Sequence, residues 1–425
     1  MIWGYRLIYP FFILSLGLLS PFVSKIRAGL VKRRGLMSRL ADSVSSWEPA
    51  SRRFWFHFAS AGEFEQVLPV LEGIRTKDSK ARILLTYFSP SAERALALES
   101  ERRRKANLDC PWDFADYSPF DFVWSVRYFL SLAKPEAFIA VHREFWPEAL
   151  ESCRKNKIPC YLMGAFFPSP LSWFSFFYKT CLTRFKQIIA VDERTRNYLL
   201  AFRPGLPVVV LGDPRVERVL LRRKLFTSSQ AWRPFFENQT ILIGASFWEE
   251  DYQVFRQSVK TILEAFPQCR LILVPHEPSP GRLKKWKEDL SSLGLSFRLW
   301  SHWLRSPDSS SHLLVDKVGL LAELYSVGAC VVVGGSFKRR VHNVLEPLVY
   351  ECGVVTGPFI DNSSEARELG SRGILKLVHD SSELGSVVVE LIQDPEKRQA
   401  LIEGAHSFLK ERENTSVKHV AVLLD

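Results

Sequence analysis

The segment from Phe56 to Gln66, FHFASAGEFEQ, brings a carboxylate, Glu63, to the end of an apolar run, with Glu65 two residues on. A strand that ends in Ala-Ser-Ala-Gly and gives way to a helix places Glu63 at or near the helix N-terminus. Gly62 is expected to make the sharp turn by taking backbone angles closed to other residues. A carboxylate in that place has two uses. It caps the helix dipole, as acids in a first turn routinely do. Alternatively it faces the crevice beyond the strand ends, where open parallel sheets bind ligands, and takes a proton as a base.

A second stretch, VVVGGSFKRRVHNVLEP from Val331 to Pro347, runs from an apolar strand through the turn Gly334-Gly335-Ser336 and a basic loop into His342, Asn343 and Glu346. Backbone N–H groups at a glycine turn and at a helix N-terminus suit phosphate. Glu346, one turn into a helix, is placed to accept hydrogen bonds from ribose hydroxyls. Lys338, Arg339 and Arg340 read either as a phosphate-facing group or as a solvated loop. Val355 to Glu365 offers another turn followed by polar groups. His57 and His142 read as packing or hydrogen-bonding residues.

The elements that must position these groups alternate short apolar runs with longer mixed segments. RFWFHFA, RILLTY, AFIAV, CYLMGAFF and QIIAV read as strands, with helical segments such as EFEQVLPVLEGIR between them. Strand then helix, repeated, implies a parallel sheet covered on both faces. The pattern starts afresh after Leu211-Gly212-Asp213-Pro214 with TILIGAS, RLILVPH, HLLVD and ACVVVGGS, so two doubly wound halves meet near residues 205–215. A chain of 425 residues is long enough for two such domains.

The seven cysteines are scattered and lack C-x-x-C spacing, so they read as reduced packing residues in a cytoplasmic compartment. A formal net charge of +11 favours anionic partners. Nucleic-acid binding would follow from charge alone, without a recognisable motif, and ranks last. Leu7 to Ser24 carries no charge over 18 residues and is followed by Lys25, Arg27, Lys32, Arg33 and Arg34. That length is marginal against the roughly 20 apolar residues of a membrane span, and the basic flank would keep the following domain cytoplasmic. A buried helix of a soluble protein and a cleaved signal peptide, for which the charge bias is inverted, are the alternatives. The run FFPSPLSWFSFFY, Phe166 to Tyr178, with seven aromatic residues, reads as core or as a second contact with an anionic membrane surface.

Taken in order, HFASAGEFEQ, CPWDFADYSP, KPEAFIAVHREFWPEAL, AVDERTRNYL, LGDPRVE, ILIGAS, LILVPHEP, GGSFKRRVHNVLEP and GPFIDN resemble the bacterial transferases of 3-deoxy-D-manno-octulosonic acid (Kdo) that act in lipopolysaccharide assembly. The resemblance implies an α/β chain of the GT-B type: two Rossmann-like doubly wound domains facing a central cleft, behind an N-terminal membrane-anchor helix. Residues 1–35 would be the anchor and basic flank, 36–208 the acceptor-binding domain and 209–425 the donor-binding domain. It implies that CMP-Kdo is the donor and a lipid A precursor the acceptor, with no cofactor, at the cytoplasmic face of the inner membrane. Glu63 matches the family base and Glu144 its second acid, with Trp146 and Pro147 following; Glu144 read alone is also a surface or helix-capping acid. Ser336, His342, Asn343 and Glu346 match the donor motif, with Gly334, Gly335 and Lys338 beside them.

Some positions depart from the family pattern. A Pro-Arg-His stretch that meets the donor reads Pro275-His276-Glu277, so Pro275 and His276 are expected among the donor-binding residues; an M-G-E-L segment reads Val318 to Leu321, and the glycines before His-Asn are Arg340 and Val341. No Asp-x-Asp pair stands at a strand end, so transfer is expected to invert the anomeric carbon without a metal. A transferase of the same fold with another sugar nucleotide, or a catalytically silent membrane-bound relative, are the competing readings.

Overall fold

A computed structural model describes residues 2–171, 175–225 and 231–425. The chain forms two units, residues 1–218 with 414–425, and residues 219–413. The first is built on strands β1 (Arg53–Phe58), β2 (Arg82–Tyr87), β3 (Phe114–Tyr117), β4 (Ala137–Val141), β5 (Cys160–Ala165), β6 (Gln187–Ala190) and β7 (Val208–Val210). They form one parallel sheet in the order β3-β2-β1-β4-β5-β6-β7. The second unit holds β8 (Ile241–Phe247), β9 (Arg270–Pro275), β10 (Phe297–Leu299), β11 (His312–Leu314), β12 (Cys330–Val333), β13 (Gly353–Thr356) and β14 (Lys376–Leu377), in the order β10-β11-β9-β8-β12-β13-β14.

Strands buried on both faces carry unbroken apolar runs, and side chains alternate between the faces. β1 shows this directly. Trp55 packs with Leu84, Phe129 and Phe138 on one face, and Phe54, Phe56 and Phe58 pack with Phe64, Ile83 and Ile139 on the other. The second unit has a core built around Phe247, Phe255, Trp286 and Val332.

Two expected boundaries are displaced. The first domain does not end at 208: β7 pairs with β6 along Val208–Val210, and the division falls inside the helix Arg215–Leu225. The donor-side half does not run to 425 either. The terminal helix Thr415–Leu424 returns to the first unit, where Val420 and Leu423 join the core against helix α4 introduced below, and Ser416 N–H donates to Glu217 at 2.6 Å.

Residues 1–35 are not a separate piece. Helix α1 (Ile2–Leu19) is long and apolar enough to cross a membrane, and Leu7, Ile8, Phe11, Leu14 and Leu18 are exposed along it. Its other side docks on the first unit. Arg6 makes a two-pronged bond to Glu148 at 2.8 and 3.0 Å, and the Asp121 N–H donates to the Tyr9 hydroxyl at 3.1 Å. Helices α2 (Ser24–Lys32), α3 (Leu36–Val44) and α4 (Ala61–Lys77) follow. Leu36 and Leu40 of α3 enter the core. The described ends of the 166–178 stretch are also core: Phe166 and Phe167 are buried, and Tyr178 meets Phe145 and Phe167 edge-on. Trp173, Phe174 and the side chains of Phe176 and Phe177 lie outside the described residues. All seven cysteines are free, and all but Cys110 are buried.

Candidate functional site

Each sheet has a central switch point where the strand order turns, between β1 and β4 and between β8 and β12. Open parallel sheets bind ligands beyond the carboxyl ends of the strands at such a switch point. Both sequence-derived groups lie there: Glu63 follows β1 and Glu144 follows β4, and Gly334 to Glu346 follow β12.

Glu63 is the third residue of α4. Its Oε2 accepts the N–H of Ala59 and, at 3.1 Å, that of Ser60. The capping reading is therefore realised, yet among the described residues both bonds fall on one oxygen, which leaves Oε1 to receive a proton. Gly62 does not make the turn. It is helical, with open space where a Cβ would stand, and the corner is made by extended backbone at Ser60 (φ −133°, ψ 168°). Burial raises the Glu63 pKa, and the Glu144 charge adds to this against the lowering effect of the Ala59 and Ser60 N–H groups. Glu65 stands apart, paired with Arg218 at 3.3 Å.

Glu144 reaches the same region from a strained corner. After β4 the backbone of His142 turns left-handed (φ 62°), a rare conformation for a residue with a side chain. Glu144 Oε2 then accepts from Trp146 Nε1 at 2.8 Å and meets His57 Nε2 at 3.2 Å. His57 is 2 % exposed near the carboxyl end of β1. Its Nδ1 lies 2.9 Å from the Thr86 hydroxyl, which also accepts from Trp55 Nε1 at 2.7 Å. This chain orients the imidazole toward the carboxylate. Burial would push Glu144 up, but the His57 bond and charge and the Trp146 bond outweigh it and hold its pKa below the ordinary value. Two neighbouring carboxylates are thus separated in affinity for a proton, the arrangement in which one group serves as base and the other stays charged.

The second site differs from the expected phosphate cradle. Gly335 has φ +83°, and a Cβ there would collide with the Arg340 carbonyl, so only glycine fits. The turn N–H groups are not free. Gly335 N–H donates to Asp251 Oδ2 at 2.7 Å and Phe337 N–H to Oδ1 at 3.1 Å, and Asp251 also takes the Trp248 N–H at 2.9 Å. Ser336 is fully buried, with its hydroxyl donating to the Val333 carbonyl and accepting from Gly357 N–H. Asn343 Oδ1 takes the Leu345 N–H at the start of the helix Leu345–Val349. Glu346 accepts from Arg222 at 2.8 Å. Ser336, Gly334, Gly335 and Asn343 therefore shape the loop.

The groups left facing outward are rings and cations. His276, carried just past β9 by Pro275, stacks on Trp248 at 4.4 Å and on His342 at 4.5 Å, and Trp248 Nε1 donates to His342 Nε2 at 3.1 Å. Lys338 Nζ sits 4.4 Å from the centre of the Trp248 ring and 3.5 Å from Glu250. Burial, then the neighbouring His276 and Arg340, lowers His342 to about 4; burial also lowers His276. Both rings are neutral near pH 7, so positive charge at this site comes from Lys338, Arg339 and Arg340. Trp248 and Asp251 were missed in the sequence. The signal was the segment FWEED directly after the apolar run TILIGAS, the counterpart of Glu63 after β1. Among the described residues no cluster of three or more His, Cys, Asp or Glu side chains is placed to hold a metal ion.

Two seven-stranded doubly wound units, each with polar groups at its switch point, define the GT-B fold. A UDP-GlcNAc 2-epimerase from Neisseria meningitidis shares the fold, with a TM-score of 0.60 at 17 % identity over 88 % of this chain and 99 % of that one. Residues 28–218 match the family described as 3-deoxy-D-manno-octulosonic-acid transferase (kdotransferase). The chain is 28 % identical to the 3-deoxy-D-manno-octulosonic acid transferase of Aquifex aeolicus, over 80 % of this chain and 85 % of that protein. To the Haemophilus influenzae enzyme of the same name it is 23 % identical over 95 % and 92 %. Along most of its length the chain is thus similar to bacterial Kdo transferases.

Proposed function

We propose that the chain transfers Kdo from CMP-Kdo to a lipid A precursor in lipopolysaccharide biosynthesis, with inversion and without a metal ion. The supporting observation is the acid pair at the first switch point: Glu63, whose proton affinity is raised and which has one oxygen to spare, beside Glu144, which His57 and Trp146 hold charged. Glu63 takes the proton of the acceptor hydroxyl as the bond to the sugar forms, the step a positioned base accelerates. Glu144 stays ionised and orients the acceptor. In the second unit the Trp248–His276–His342 stack and Lys338 receive the donor, Glu346 binds the ribose in exchange for its bond to Arg222, and Arg339 and Arg340 offset the charge on the departing CMP. Helix α1 seats the protein on the cytoplasmic face of the inner membrane, where such an acceptor lies, and the basic surface favours anionic lipid.

The test is transfer of labelled Kdo from CMP-Kdo to a lipid A precursor, with other sugar nucleotides as competing donors and EDTA in a parallel reaction. Transfer from CMP-Kdo that survives EDTA is expected. Glu63→Gln keeps an oxygen for the capping bonds and removes the base, so turnover should fall by roughly a hundredfold or more with the fold intact. Near-normal turnover in that variant would return Glu63 to capping alone.

A further inference from the structure

The first unit contains a cavity of about 280 Å³ that the transfer chemistry does not use. One side is formed by α1 and α2, through Phe12, Leu16 and Leu30. The other is formed by residues just beyond three strand ends: Phe88 after β2, Phe120 after β3 and Trp146 after β4. Its surface is almost entirely carbon. Arg33 closes it, and most of its guanidinium is engaged: Nε donates to the Ser118 carbonyl at 3.0 Å, Nη1 to the Gly29 carbonyl at 2.7 Å, and the group lies 5.0–5.3 Å from the rings of Phe88, Tyr117 and Phe120, while the buried Nη2 has no hydrogen-bond partner among the described residues. The Ser89 hydroxyl at the rim is paired with that of Ser91 at 2.7 Å. A nucleobase or sugar placed here would find that one Arg33 nitrogen and leave its other polar atoms without partners, a costly burial, whereas a hydrocarbon chain has no polar atoms to leave unpaired.

We propose that this cavity binds an acyl chain of the lipid acceptor. The inference rests on the acceptor being a lipid, as read above, and three observations carry it further. The indole of Trp146 is a wall of the cavity and also donates to Glu144 at 2.8 Å, so a molecule whose polar end meets the acid pair runs its tail past Trp146 and Phe88, whose rings are 5.6 Å apart. The cavity lies at the carboxyl edge of the sheet, where this fold places its ligands. Phe12, on its wall, is itself half exposed on α1, whose outer face is the exposed apolar strip, so the entrance is continuous with the surface suited to a bilayer. The tail passes from lipid into the protein without crossing water.

The experiment compares two acceptors in vesicles of phosphatidylethanolamine and phosphatidylglycerol, using the full chain: an intact lipid A precursor and the same molecule chemically stripped of its acyl chains. For the native protein kcat/KM is expected to be at least tenfold higher on the acylated acceptor. Leu30→Trp fills the cavity and should bring that ratio toward one. A second measurement does not depend on the variant folding: an acceptor with a diazirine at the end of one acyl chain is photolysed on the native protein, and the labelled peptides are mapped. Label on residues 12–30, 88–90 or 118–120 supports the proposal. Equal kcat/KM for the two acceptors, or label confined to other segments or to lipid, overturns it. If neither acceptor receives Kdo, the functional reading fails, and the photolabel still decides whether the cavity takes an alkyl chain.

Discussion

Glu63 and Asp251 occupy equivalent places, each the third residue of the helix that follows the strand at its sheet's switch point. Their fates differ because of what surrounds them. Both Asp251 oxygens are consumed by backbone N–H groups, whereas Glu63 spends one. Burial raises the proton affinity of both, but only Glu63 keeps an oxygen that accepts no backbone N–H among the described residues. A base must be ionised, so kcat/KM should be lost as pH falls through the Glu63 pKa, which lies above the ordinary 4.5 because of burial and the Glu144 charge. Glu144→Gln removes that charge and should move the acid limb of the pH–rate profile to lower pH; a limb that stays put would show that the two acids do not sense each other. In stability the sign is opposite. A raised carboxylate contributes below its unfolded pKa, and the contribution is lost as pH rises through the folded value, while the depressed Glu144 contributes above its unfolded pKa and loses it as pH falls. At the second site Glu346→Ala should weaken CMP binding by about 1–3 kcal/mol if the ribose leaves its partner unpaired, read by calorimetry; unchanged affinity would remove Glu346 from the donor site.

At the scale of elements, the glycine turn after β12 is held by a carboxylate 84 residues away. Asp251→Asn keeps the shape but turns an N–H donor toward backbone N–H groups, so a loss of about 1–3 kcal/mol is expected in denaturant unfolding. A stability equal to the native protein's would mean that the turn stands without this support. The distance along the chain also explains what the sequence could convey. Strands such as AFIAV and CVVV were legible because both faces are buried and the apolar run is unbroken. The edge strands β3, β7, β10 and β14 were not: they have two to four residues, and β7 and β14 are only partly buried or exposed. Glu63, Glu144 and the residues from Gly334 to Glu346 were legible as polar groups following apolar runs. The engagement of the turn N–H groups by Asp251, and of His342 by Trp248, was not. It depends on β8 lying beside β12, a property of sheet order rather than of either segment.

At the scale of the whole molecule, the N-terminal helix is part of the first unit as well as an apolar surface. Glu148 is 1 % exposed, and Arg6 is its ionic partner. Arg6→Ala leaves that carboxylate buried without a counter-charge and should destabilise the protein by up to about 3–5 kcal/mol. Thermal unfolding in detergent is the measurement, and an unchanged midpoint would mean that the helix is merely tethered. Removing residues 1–24 deletes the same arginine, so a truncated protein should lose stability as well as membrane affinity.

Under the proposed function, the bond between Arg6 and Glu148 has a consequence for how the protein would meet a lipid acceptor. A helix joined to a domain by a slack linker lets the domain tumble, so that its ligand-binding edge points at the bilayer only part of the time. Here the helix axis and the sheet are bolted together through Arg6 and Tyr9. For a chain seated in lipid by that helix, the height and tilt of the Glu63–Glu144 edge are set by the fold. The search for a lipid partner then becomes diffusion in a plane, with one face always turned to it.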